Sequence, residues 1–222
     1  MASIKKSPQK LRRYTDLASG LHILRAKKIT LLDPSRWDDG NDRMCMERYK
    51  EALELQTLLA ICFADCKETY HHWRVFTVGA SGVCFEFDRE NLCESLSGLD
   101  GIRWRNVEYR KLDILRPSSK RWLVSDLPFL KRAPYEPEQE LRIIYSSATE
   151  EVSAFDVPIE ISWIKRVILS PWMPVALRQS VIETIRDIPG CRTLTVQSTS
   201  LVGGQLWRAK VLGAVVDGSQ KR

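Results

Sequence analysis

The sequence predicts a single α+β domain, a mixed or antiparallel sheet with flanking helices. Three observations carry that reading. The chain has 222 residues, 44% of them hydrophobic and 28% charged, enough to bury one large core without staples. Strand-like and helix-like segments follow one another without the regular strand–helix–strand rhythm of a parallel sheet. No repeat, low-complexity tract or linker divides the chain. Residues 1–10 are expected to form a flexible basic tail, 11–215 the domain, and 216–222 a polar tail.

Leu17, Leu21 and Leu24 recur at helical spacing behind Thr15 and Asp16, which suit a helix start. Lys28 to Leu32 reads as a strand, and Asp33 to Asp42 as a loop dense in turn residues. A helix is expected from Arg43 to Thr57, then a buried strand from Leu58 to Phe63. Gly82-Val-Cys-Phe-Glu-Phe-Asp88 alternates with period two, and Asp88 is placed to cap a helix to Leu96. Further strands are expected at 105–111, 140–145 and 164–170, and a helix from Pro174 to Ile188 stopped by Pro189-Gly190. Thr193–Ser198 and Gln205–Val211 read as a final strand pair. Five strands, near 28–32, 59–63, 83–88, 140–145 and 164–169, should share one core containing Val83, Phe85, Phe87, Ile143, Val167 and Leu169.

Met1 to Arg13 carries charge without an apolar core, so no secretory signal is expected. No apolar run reaches the roughly 20 residues of a membrane span. A cytoplasmic protein with no membrane partner is expected, its six cysteines free thiols. Cys62, Cys66, His71 and His72 do not make a zinc site by spacing, because the two histidines are adjacent. No structural metal is expected. The aspartates of the 33–42 loop (Asp33, Asp38, Asp39, Asp42) lack calcium-loop spacing and are expected to serve turns and caps.

The formal net charge is +6, but its distribution says more than its sum. Gly101 to Arg132 holds nine basic and three acidic residues, and Glu136 to Glu160 holds seven acidic and one basic. In the first block Arg103, Trp104, Arg105, Tyr109, Arg110 and Lys111 interleave cations with rings, as does Lys120-Arg121-Trp122. That pattern suits single-stranded nucleic acid, and equally a basic face paired within the protein. In the second block Glu136, Glu138, Glu140 and Arg142 alternate. As a strand, they place four charges on one face; as a helix start, with Pro137 in its first turn, they merely suit the helix dipole.

Taken in order, these pieces resemble a family. Arg13-Tyr14, Trp37-Asp-Asp, Cys62-Phe-Ala64, Trp73, Gly82 to Asp88, Val107-Glu-Tyr109, Glu138-x-Glu140-x-Arg142 and Ile168-Leu-Ser-Pro171 are similar to the bacterial and phage domain of unknown function 2971 family. Departures fall at Asp38, Gly40, Ala64 and Phe76, where that family has Asn, Pro, Ser and Tyr. Its layout is in turn loosely similar to mono-ADP-ribosyltransferases, with an early arginine and a late Glu-x-Glu. That resemblance implies an NAD-dependent transferase of the bacterial or phage cytosol, in a toxin or phage-defence role, with nucleic acid or another macromolecule as acceptor. It implies Glu140 as catalytic carboxylate, Glu138 on the acceptor side, Arg13 on the pyrophosphate, and Tyr14 or Trp73 stacked on nicotinamide. Two alternatives stand beside it: a metal-dependent nuclease using Glu138, Glu140 and Asp38 or Asp39, and a non-catalytic nucleic-acid-binding module using residues 101–132.

Overall fold

The computed structural model describes residues 10–111 and 122–214. Of the expected tails, residues 1–9 and 216–222 lie outside them, as do Lys120 and Arg121 of the basic block, while Lys10 opens the first strand. Among the described residues nine strands form the main sheet: β1 (Lys10–Asp16), β2 (Lys28–Leu32), β3 (Thr57–Ala64), β4 (Gly82–Asp88), β5 (Ile102–Asn106), β8 (Glu140–Ser147), β9 (Ala154–Pro158), β10 (Ile164–Leu169) and β11 (Val196–Ser198). All pair antiparallel except β10 with β11, so the sheet is mixed. β6 (Glu108–Arg110) and β7 (Leu130–Arg132) form a separate parallel pair. Six α-helices among the described residues accompany the strands: α1 (Leu17–Ala26), α2 (Gly40–Ala52), α3 (Tyr70–Phe76), α4 (Arg89–Leu96), α5 (Val175–Arg186) and α6 (Gln205–Ala214).

One sheet face carries the main core. Leu59, Ile61 and Phe63 of β3, Val83, Phe85 and Phe87 of β4, and Leu141 and Ile143 of β8 alternate onto it, against Ile23 and Leu24 of α1 and Leu92 and Leu96 of α4. All six side chains expected in the core, Val83, Phe85, Phe87, Ile143, Val167 and Leu169, are buried there. Each fully buried side chain of this size stabilises the fold by ~1.5–3 kcal/mol. Asp16 caps α1 through the Ser19 amide, and Asp88 caps α4 through the Glu90 and Asn91 amides. Gly20 lets α1 settle directly on β4: a β-carbon there would stand 2.9 Å from Val83 Cγ2.

The opposite face is covered by α2 and α3. Met46 and Tyr49 of α2 pack with Leu58, Ala60, Ile144 and Phe129, while Trp73 of α3 packs with Tyr14, Ala64, Cys84 and Ile168.

The sheet is continuous in name but split in geometry. β1 pairs with β4 from Lys10↔Asp88 to Asp16↔Gly82, yet meets β3 only at Arg12↔Ala64. β2 meets β3 only at Leu32↔Ala60. On its other edge β3 is paired with β8 along its whole length. Between Ala60 and Ala64, therefore, one edge of β3 has no strand beside it, and a cleft opens there.

Several expectations change. Gln205–Val211 is not a strand but part of α6, and Val196–Ser198 pairs in parallel with β10 instead of closing a hairpin. The helix expected at 43–57 starts at Gly40, capped by Asp39, and ends at Ala52; Glu54 then turns the chain with φ +51°. The 105–111 strand is two strands broken at Val107, whose side chain turns inward while its amide donates to the Glu140 carbonyl at 2.8 Å.

Candidate active site

The glutamate stretch is not one strand face. Pro134 and Pro137 keep Ala133–Glu138 in a 3₁₀ turn, Gln139 turns the chain with φ +42°, and β8 begins only at Glu140. Glu136 is exposed on the turn, Glu138 is buried on it, and only Glu140 and Arg142 share a face through the strand period.

That face looks toward α2, where Arg142 is fully buried and uses its whole guanidinium. Its Nε donates to Glu140 Oε1 at 2.7 Å and its Nη2 to Oε2 at 3.1 Å. Its other edge donates to both oxygens of Asp42, at 2.8 and 2.7 Å, and Nη1 also reaches the Pro128 carbonyl at 2.8 Å. The Trp37 ring lies over the guanidinium at 4.6 Å. Lys131 closes the cluster, with Nζ 2.6 Å from Glu138, 3.5 Å from Asp42 and 3.6 Å from Glu140. Burying so many charges is costly, and only this dense pairing offsets the desolvation.

The two glutamates are driven apart in acidity. Burial pushes Glu140 up, but the charge and hydrogen bonds of Arg142, with Lys131 behind them, outweigh it and hold the carboxyl at about 2. Burial also pushes Glu138 up, and there Lys131 only partly offsets it, so its carboxyl sits above the ordinary range. Lys131 is held well above its usual value because Glu140 and Glu138 outweigh its burial. Two carboxylates of divided acidity in one place are the pattern by which sites separate a permanent anion from a proton carrier.

Access to this cluster runs through Arg13. A cleft of about 920 Å³ opens along the unpaired edge of β3, lined by Leu58 to Cys62 and by Arg13, Thr30, Asp33, Arg36, Trp37 and Lys50 among others. Its size falls in the ~300–1,000 Å³ range of small-molecule and cofactor clefts. A water-sized cavity of about 30 Å³ adjoins it, lined by Arg13, Tyr14, Cys62, Phe76, Glu138 and Glu140 with their neighbours. Arg13 and Cys62 belong to both. The Arg13 guanidinium reaches into the gap in the sheet and donates to the Cys62 carbonyl at 3.1 Å, satisfying a strand edge that has no partner strand. Burial lowers its pKa against the pull of Cys62 and Glu140. The cleft thus presents cations and an aromatic ring, with an ionised carboxylate beyond Arg13.

Arg13, Tyr14, Glu138 and Glu140, which the sequence analysis singled out, meet at the small cavity. Trp73 does not line it: its ring is fully buried, packs edge-on against Tyr14 at 5.2 Å, and donates to Glu68 at 2.7 Å. Arg103, Arg105 and Arg110 of the basic block are engaged within the protein. Arg103 donates to the Tyr49 hydroxyl and the Ser125 carbonyl, both at 2.9 Å. Arg105 pairs with Asp126 at 3.0 Å and lies over Phe129. Trp104 packs against the main core, and Arg110 pairs with Glu108 and lies over Trp122. Tyr109 accepts the Glu140 amide at 2.9 Å, and Lys111 is exposed.

Among the described residues no three His, Cys, Asp or Glu side chains converge as metal ligands. Asp33 and Asp39 cap helical turns, Asp38 is exposed, and His72 bonds the Glu138 carbonyl at 3.0 Å and Thr69 at 2.6 Å. The cysteines described are all free. No described helix is long and apolar enough to cross a membrane.

Asp42, Lys131 and the cleft face of Trp37 were not assigned site roles from sequence. Asp42 lies in the first turn of α2, where an acid suits the helix dipole, and Lys131 is one cation among nine in the basic block. Nothing in their spacing distinguishes them.

No protein-family model and no curated protein matches the chain. The motif-order resemblance to the domain of unknown function 2971 family therefore has no matching model behind it. Among solved structures the chain is similar to Thermus sp. 2.9 DarT in complex with NAD+, at 12% identity over 87% of this chain and 96% of that one, with a TM-score of 0.45. It is similar also to the same protein in complex with carba-NAD+ (10% identity, 87% and 97% coverage, TM-score 0.45) and with ADP-ribosylated ssDNA (12%, 86% and 94%, 0.45).

Proposed function

We propose that the protein is an ADP-ribosyltransferase-like enzyme that takes NAD as substrate in the cleft along β3. The observation that carries this reading is the position of Arg13, which belongs both to the cleft and to the wall of the cavity that Glu140 faces. A dinucleotide pyrophosphate draws a planar guanidinium more strongly than one backbone carbonyl does. Arg13 then leaves Cys62, clamps the pyrophosphate, and opens the path between cleft and Glu140.

The chemistry follows from what stands there. Breaking the bond between nicotinamide and ribose sends the electron pair out with nicotinamide and leaves positive charge on the sugar. Glu140, ionised at every physiological pH and fixed by Arg142, stabilises that charge without reorganising. Glu138, the less acidic of the pair, accepts the proton of the incoming nucleophile. Trp37, on the cleft wall, is the ring placed to meet a planar group, while Tyr14 lies buried at the small cavity, stacked on His72 with Trp73 against its edge. The acceptor class we propose is nucleic acid. Lys111, exposed just past the strand whose Tyr109 accepts the Glu140 amide, and Arg36 and Lys50 of the cleft wall offer cations to a polyanion.

Nicotinamide release tests the reading. Glu140→Gln is expected to lower turnover by ~10²–10³-fold while NAD binding is largely kept, because the charge acts mainly in the transition state. Added chelator should change nothing. A wild-type chain that neither binds NAD nor releases nicotinamide, with or without single-stranded DNA, would remove this function.

A further inference from the structure

We infer that Lys131 is a positioning residue for this site: its ammonium holds Glu138 and Glu140 together on one wall of the water-sized cavity, against their mutual repulsion. The inference rests on the proposed reading for the roles of the two glutamates, but its geometry stands without it.

Arg142 cannot do this work alone. Its guanidinium edges are taken by Glu140 and Asp42, with one further bond to the Pro128 carbonyl. Glu138 receives nothing from it. The charged hydrogen-bond donor to Glu138 is Lys131, at 2.6 Å, and the same ammonium lies within 3.6 Å of Glu140 and 3.5 Å of Asp42. Without Lys131, three buried carboxylates would face one guanidinium already committed to two of them.

Lys131 is itself held in place. It lies in β7, directly opposite Tyr109 of β6, whose hydroxyl accepts the Glu140 amide. Its ammonium stands 4.9 Å over the Tyr135 ring. The small parallel pair β6–β7 thus braces the start of β8 from two sides: a hydroxyl on the Glu140 backbone and a cation between the carboxylates. The groups that face Glu138 electrostatically are Lys131 of β7, Glu140 of β8 and His71 of α3. Losing the cation leaves Glu140 as the nearest charge, so Glu138 must hold its proton to higher pH.

The test compares Lys131→Met and Lys131→Arg in the full chain. Three quantities are measured: nicotinamide release against pH, NAD affinity by calorimetry, and the side-chain carboxyl carbon resonance of Glu138, assigned by its loss in Glu138→Gln. Lys131→Met is expected to lower kcat by ~10–100-fold with KM nearly unchanged, and to move the acid limb of the pH profile upward. The Glu138 resonance should titrate at higher pH in the same variant. Lys131→Arg, which keeps the charge, should restore most of both. An unmoved limb and resonance in Lys131→Met would overturn the inference, as would an equal loss in Lys131→Arg, which marks packing rather than charge. Lys131→Gln serves if Lys131→Met does not fold. If neither folds while Lys131→Arg does, the residue is structural and the inference fails. If the wild type releases no nicotinamide, the enzymatic reading falls, while the carboxyl titration still decides the role of Lys131.

Discussion

Replacing Glu140 by glutamine should destabilise the protein near neutral pH, and the deficit should shrink in acid. The Glu140 carboxyl drops from an ordinary 4.5 to about 2 on folding. At 1.36 kcal/mol per pH unit, its ionised form therefore contributes about 3 kcal/mol to stability. Two charge-assisted hydrogen bonds from Arg142, at ~1.5–3 kcal/mol each, reach the same magnitude independently. The folded-state pKa is depressed, so this contribution is complete above the unfolded value of 4.5 and is lost as pH falls toward 2. More than half of it should be gone by about pH 3. Urea unfolding of wild type and Glu140→Gln at a series of pH values from neutral to about 3 measures the gap directly. Carboxylates out of reach of Glu140 and its partners are common to both proteins and cancel in the difference. A gap that stays constant with pH would show that the loss is steric, and no gap at all would show that Arg142 does not hold Glu140 as the geometry states.

Three further outcomes follow from the same structure. Arg13→Ala should raise the KM for NAD by ~10–100-fold, the worth of a charge-assisted contact, with kcat much less affected; unchanged NAD affinity in calorimetry would place the substrate elsewhere. Glu86→Gln should cost about as much stability as Glu140→Gln, because Arg166 and Arg12, aided by Lys10, hold the Glu86 carboxyl at about 2 against its burial. It should nevertheless leave nicotinamide release intact, and a large loss of kcat in a folded variant would contradict its place outside the cleft and the small cavity. Gly20→Ala should lower the melting temperature: the new methyl would meet Val83 at 2.9 Å and Phe85 at 3.0 Å, and overpacking of ~1–3 kcal/mol outweighs the ~1 kcal/mol that alanine brings to a helix. A higher melting temperature would mean that α1 does not sit so close to β4.

The fold was legible where one face of an element is apolar and the other is not. Val83, Phe85 and Phe87 announce β4 by alternation, and Leu17, Leu21 and Leu24 announce α1 by their spacing. Reading failed where charge replaces that signal. β1 carries Arg12 and Arg13 in mid-strand, one paired with buried Glu86 and the other plugging the sheet, so its alternation is masked. α6 is exposed throughout, so no buried stripe distinguishes its sequence from a strand. The site was legible in part for the same reason. Glu140 and Arg142 are two apart in sequence and share a strand face, whereas Asp42 reaches Arg142 across 100 residues and Lys131 enters from another sheet. Local spacing reports neighbours along an element; it carries no record of which elements the fold brings together.

Two buried glutamates among the described residues, Glu86 and Glu140, have carboxyls held at about 2, and they separate what acidity marks from what it does not. Glu86 is enclosed by cations: Arg166 at 2.6 and 2.9 Å, Arg12 at 2.5 Å and Lys10 at 3.3 Å. It lines neither the cleft nor the water-sized cavity. It is fully buried, and its carboxylate oxygens are taken by these three cations. Glu140 is equally acidic, but one side of it faces a cavity whose other wall is Arg13, itself exposed to the cleft. Stabilising positive charge on a substrate requires both an anion and a route to it. The first is common to both glutamates, so a low pKa cannot identify the site. The second belongs to Glu140 and comes from the missing strand beside β3. If a β-strand filled that gap, Arg13 would have no carbonyl to plug, the cleft would close, and Glu140 would become what Glu86 is, a structural ion.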